Sequence, residues 1–218
     1  MKKNLISILM VFVLLMNVTA CNRNQGGGSS SSTSSSSTSG TKPNPDATKT
    51  VYDVLNGLSK QNYGKIKLNI TTETGDMQLK AEYVLTDRNV SYSVEQMNLL
   101  PEDGNLNGLS PDTKQTMTGT ATVENGKITK IDGDKVTIPA YGELKGSFDF
   151  KEGYFSNVRS TDGEFSADVK SASDFLGTDR TLTDMTLEVE YNDSALEKIT
   201  LVYKTANSTV TTTYEFER

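Results

Sequence analysis

From residue 65 onward, apolar side chains recur at every second position, and the rhythm breaks only at turn-forming residues. Ile66, Leu68 and Ile70 alternate with Lys65, Lys67 and Asn69. After Gly75-Asp76, Met77, Leu79, Ala81, Tyr83 and Leu85 alternate with Lys80 and Glu82; after Asp87-Arg88-Asn89 come Val90, Tyr92 and Val94. This predicts a three-stranded antiparallel meander with one wet face and one dry face. A loop over residues 100–115 interrupts it. Pairing resumes with Met117, Gly119, Ala121 and Val123, and Asn125-Gly126 is the strongest hairpin signal in the chain. Further strands are predicted over residues 128–131, 136–138, 144–150, 155–158 and 165–169. Three long strands finish the chain: Met185, Leu187, Val189 and Tyr191; Ile199, Leu201 and Tyr203; Val210, Thr212, Tyr214 and Phe216.

Two stretches follow a helical period instead. Val51, Val54, Leu55 and Leu58 recur at spacings of three and four, with Asp46 as the expected cap and Gly64 as the stop, giving a helix of about four turns. Ser171 and Asp174 are spaced like a capping box before Gly177, which predicts one short helical turn.

Roughly ten strands at about 4.8 Å make a sheet some 45 Å wide, whereas one helix covers about 10–12 Å. The rest of the apolar face must be buried by the sheet itself, as a half-barrel curled around the helix or as two packed layers. The fold class expected is therefore mainly β (α+β): a curved antiparallel sheet or half-barrel on one N-terminal helix, with a short second helix, in a single domain over residues 48–218. A half-barrel would leave an apolar hollow beneath the helix, lined by Val51, Val54, Leu55, Leu58, Leu68, Ile70, Leu79, Tyr83, Leu187 and Leu201. Small or polar residues at Thr72, Thr74, Ala81, Gly119 and Gly146 either leave room for a ligand or bring two layers together.

The order of an N-terminal helix, consecutive antiparallel strands, a short helical segment (residues 173–176) and a closing meander (residues 185–216) resembles the LolA, LolB and LppX-type half-barrels of bacteria. That resemblance implies a concave face that receives acyl chains of lipids or lipoproteins.

The first 47 residues do not belong to this domain. Lys2 and Lys3 precede an apolar run over residues 5–16, too short to span a bilayer and of the length of a signal-peptide core. The run closes on Val18-Thr19-Ala20-Cys21, which holds the chain's one cysteine. Together these features resemble the lipobox of bacterial lipoproteins, which implies cleavage between Ala20 and Cys21 and a diacylglycerol on the Cys21 thiol. Two acyl chains anchor stably where one does not. Residues 22–47 are a Gly/Ser/Thr tract ending in Lys42-Pro43-Asn44-Pro45, a disordered tether whose ends lie about 25–30 Å apart. Such reach suits a domain standing clear of the headgroups within a cell-wall layer, on the outer face of a Gram-positive type membrane.

Charge and missing residue types narrow the chemistry. Without Lys2 and Lys3, 20 basic residues face 28 acidic ones, about −8 in all, which disfavours nucleic acid and anionic headgroups as partners. The chain has no histidine, so Ser-His-Asp triads and His-based zinc sites are excluded. Asp132, Asp134, Glu143 and Asp149 lie close in sequence, but at turns or outward strand positions where solvated charges are ordinary. The segment running from Asp103 to Gly108 matches the first half of an EF-hand loop, with Asp103, Asn105 and Asn107 as oxygen donors; Lys114 stands where the bidentate glutamate belongs. Tyr83, Tyr92, Tyr141, Tyr154, Tyr191, Tyr203 and Tyr214 offer either a sugar-stacking platform or core packing. No cofactor is implied. Two readings stay open: a non-enzymatic lipoprotein binding a lipid or other hydrophobic ligand in its sheet, and a structural or interaction module that binds cell-wall glycan or a partner protein.

Overall fold

The computed structural model describes residues 50–75, 77–98, 114–177 and 181–218. Cys21, Ala20 and Asp46 lie outside them, as do Asp103, Asn105 and Asn107. Helix α1 (Val51–Ser59) is followed by β1 (Lys65–Glu73), β2 (Met77–Leu85), β3 (Asn89–Asn98), β4 (Gln115–Glu124) and β5 (Lys127–Gly133). Then come α2 (Tyr141–Lys145), β6 (Phe155–Thr161), β7 (Glu164–Val169), α3 (Ala172–Leu176), β8 (Thr183–Tyr191), β9 (Leu196–Lys204) and β10 (Thr209–Glu217). The fold is mainly β, as expected, and all ten strands lie in one open antiparallel sheet of order β5-β4-β3-β2-β1-β10-β9-β8-β7-β6. Two five-strand meanders thus meet at a central seam, where β1 pairs with β10 from Lys65↔Glu217 to Glu73↔Thr209.

The two-residue period sets which face is buried. One row of directly paired positions crosses eight strands: Gly119, Tyr92, Tyr83, Leu68, Tyr214, Ile199, Val189 and Phe165. Apart from Gly119, every member is buried. The opposite face carries Thr, Ser, Lys and Glu, with ion pairs such as Lys65–Glu217 and Lys198–Glu190. Both edge strands are bulged, β5 opposite Thr122/Val123 and β6 between Ser156 and Arg159, which interrupts a template for further pairing.

The N-terminal helix is capped by Thr50, not Asp46. Thr50 and Asp53 form a reciprocal capping box, with Asp53 N donating to Thr50 Oγ1 and Thr50 N donating to Asp53 Oδ2 at 3.1 Å. The helix stops at Ser59, short of Gly64, and rests on β9. Tyr63 pins that end: its hydroxyl donates to Leu58 O (3.0 Å) and accepts from Leu196 N (2.8 Å).

The expected strands over residues 136–138 and 144–150 do not exist. Residues 134–151 instead form a strap that leaves edge strand β5, crosses the apolar face and delivers the chain to edge strand β6. Pro139 and a capping interaction of Glu143 Oε2 with Ala140 N start the single turn of α2, and Gly146 (φ 72) ends it. The alternation read from the sequence still governs burial. Leu144, Phe148 and Phe150 point into the core while Ser147 and Asp149 face out, but they cover the sheet without joining it. The strap is tied down by side chains. Asn56 donates to Phe150 O (2.7 Å) and accepts from Phe150 N (2.8 Å), Tyr141 donates to Thr86 O (3.0 Å), and Tyr92 donates to Asp134 O (2.5 Å). Its rings close the interior: Phe148 meets Tyr214 edge-on at 5.1 Å, and Phe150 meets Phe175 at 5.8 Å.

The small residues in the sheet serve this packing. A Cβ at Gly119 would sit 2.2 Å from the Tyr92 hydroxyl and 2.6 Å from Asp132 O, so glycine is what lets the phenol cross β4 to reach the strap. Thr74 does not face a hollow at all; its hydroxyl donates to Met77 O in the β1–β2 turn. Gly119→Ala is therefore expected to cost on the order of 2–3 kcal/mol in urea unfolding, because a backbone carbonyl as well as the phenol is in the way. A loss within about 0.5 kcal/mol would contradict the close approach.

Candidate functional site

Between the strap and the central seam, the covered face holds a recess of about 90 Å³. Its floor is Leu68 and Ile70 of β1, Thr212 and Tyr214 of β10, and Leu201 and Tyr203 of β9; Glu143, Leu144, Gly146, Ser147 and Phe148 of the strap and Leu176 of α3 make the walls. The walls are mostly apolar, and exposed Ser147 marks the rim. The recess exists because α2 is one turn long and Gly146 carries no side chain; a Cβ there would lie 3.0–3.1 Å from the rings of Phe148 and Tyr214.

Of the residues expected to line a hollow, Leu68, Ile70 and Leu201 come together here. Leu79 and Tyr83 on β2 and Leu187 on β8 are buried elsewhere in the core. On α1, Leu55 and Leu58 are buried and Val51 and Val54 half-buried, and none of them reaches the recess, which lies beneath the strap. Thr212, Tyr203 and Tyr214 were not anticipated as lining. Thr212 had a readable signal: it is the polar member of the inward set Val210, Thr212, Tyr214.

The tyrosines do not share a platform. Tyr83, Tyr92 and Tyr214 are buried, while Tyr141, Tyr154, Tyr191 and Tyr203 are half-buried on separate elements. Burial pushes the Tyr214 phenol up, with Tyr203 beside it adding to the shift. Burial raises Tyr83 likewise, with a further contribution from Tyr92. Both phenols are neutral at physiological pH. The Tyr83 hydroxyl is fully buried without a hydrogen-bond partner, as is that of Thr72.

The acidic cluster dissolves into local pairs. Asp132 pairs with Lys130 at 2.8 Å, Asp149 with Lys151 at 2.6 Å, Asp134 accepts from Thr118 N and Glu143 from Ala140 N. Among the described residues, no group of three or more Cys, Asp or Glu side chains is placed to hold a metal ion, and no helix is long and apolar enough to cross a membrane. No family model matches the chain, and no curated protein matches it by sequence.

Tyr83→Phe is expected to hold or raise stability by up to about 1 kcal/mol, since it deletes a buried hydroxyl that bonds to nothing. The same variant bears on pH. A phenol whose folded value lies above its unfolded value of 10.0 leaves stability intact below pH 10 and erodes it above, as the unfolded chain ionises first. Urea midpoints at about pH 8 and about pH 11 are expected to fall less far apart in Tyr83→Phe than in the parent chain. An equal fall would show that Tyr83 is not sealed.

Proposed function

We propose that the chain is a non-enzymatic lipoprotein, held at the outer face of a cell membrane by diacylglycerol on Cys21, whose β-domain takes a hydrophobic ligand on the covered face of its sheet. The anchor half rests on the lysine pair, the apolar run and the lone cysteine at the end of Val18-Thr19-Ala20-Cys21. The ligand half rests on one observation, the mostly apolar recess of about 90 Å³ on the covered face of the sheet. Small-molecule pockets run to about 300–1,000 Å³. The occupant therefore inserts one end only, such as the tip of a lipid chain or a small apolar group. The ligand half also draws on the resemblance of the element order to LolA-type half-barrels.

A second reading, an interaction module of the envelope that presents its surface to cell-wall glycan or a partner protein, is favoured by how fully the strap fills the apolar face. Detergent phase partition tests the anchor. The native protein is expected in the detergent phase with an acylated amino terminus, and Cys21→Ser in water; a native protein found in water with an unmodified terminus would contradict it. Native mass spectrometry and uptake of a fluorescent fatty acid test the ligand. Leu201→Phe, which fills the recess, is expected to cut uptake at least about fivefold. A clean apo mass with no uptake would leave the interaction module.

A further inference from the structure

Thr212 places a hydroxyl at the recess that apolar packing does not explain. Its cross-strand neighbours are Ile70 and Leu201, and Val210 and Tyr214 flank it on the same face. It is 6% exposed, it lines the recess, and its hydroxyl has no hydrogen-bond partner among the described residues. Thr72 and Tyr83 also bury unpaired hydroxyls, but neither touches the recess. Thr212 differs from both in adjoining space that a partner atom can enter. Leaving it unmade is costly, and the cost disappears when an incoming group supplies the bond.

Size limits what that group is. A recess of about 90 Å³ equals roughly three water volumes of liquid and is smaller than the closed apolar cavity of about 150 Å³ that takes benzene, so a ring enters it in part and leaves its far edge at the open rim beside Ser147. A simple acyl tail enters with its methyl end, which carries nothing for Thr212 to bond. We propose that the recess is a site for a compact amphipathic group: a small ring or branched alkyl end whose apolar body lies against Leu68, Ile70, Leu144 and Leu201, and whose single hydroxyl or carbonyl bonds Thr212. This rests on the hydrophobic-ligand reading above and narrows it to ligands with a polar atom on the inserted end.

Phenol and toluene, nearly equal in shape and differing in one hydroxyl, are the probes. They are titrated into the mature chain carrying Cys21→Ser, with binding followed through the methyl resonances of Leu68, Ile70, Leu144 and Leu201. Thr212→Val is expected to weaken phenol about tenfold and leave toluene within about twofold, and Thr212→Ser to restore phenol. Leu201→Phe abolishes both. Equal response of the two probes to Thr212→Val overturns the polar anchor while leaving the hydrophobic site standing. Failure of both probes to move these methyls overturns the site as well, leaving a recess that holds water only. Where Val disturbs the strand, Thr212→Ala against Thr212→Ser gives the same comparison.

Discussion

A sheet of ten strands with one apolar face has to hide that face, and this chain does so with a single crossing segment. The two meanders meet at β1 and β10, so the free edges β5 and β6 end up at opposite sides of the sheet. The chain must travel from one to the other between residues 133 and 155, and it travels over the apolar face. Leu144, Phe148 and Phe150 become the second layer of the core by virtue of that route. Burying side chains of this size is worth about 1.5–3 kcal/mol each, more than the few side-chain hydrogen bonds that fix the strap's position. The bonds decide where the strap lies; the burial decides that it lies down.

The recess follows from the same route. Helix α1 covers the face near β9, the one-turn α2 packs against β2 and β5, and the aromatic rings of the strap cover the region near α3, which leaves the recess at the seam between them. Gly146 ends that turn in a left-handed conformation and leaves Tyr214 and Phe148 facing each other without a side chain between them. The polar residues of the inner face then sort into two groups. Thr72 and Tyr83 are sealed under neighbours, whereas Thr212 borders space. The central seam is thus paired along its whole length and yet keeps a gap in its cover.

Most of the sheet was legible because its residues obey one rule, alternation between a wet and a dry face. Asn125-Gly126 marked its hairpin correctly, with both residues at positive φ (53° and 72°) as that turn requires. The strap was misread for a physical reason. Residues 144–150 alternate as a strand does, yet alternation reports only that one side is buried, and a segment lying across a sheet buries one side just as a strand within it does. Pro139 and the spacing of Ala140 and Glu143 were the local signs of a break. The start of α1 was misplaced because Asp46 and Thr50 are both capable caps, and only the reciprocal bond between Thr50 and Asp53 separates them. Where the recess would fall was not legible, since it depends on which residues of the strap meet the seam.

Xenon enters dry apolar cavities and moves the methyl resonances around them, so xenon pressure with methyl-resolved NMR tests the central claim most directly. If the strap covers the seam incompletely, shifts concentrate on Leu68, Ile70, Leu144 and Leu201. Shifts centred on Val54 and Leu58 beneath α1, or none anywhere, would contradict the account.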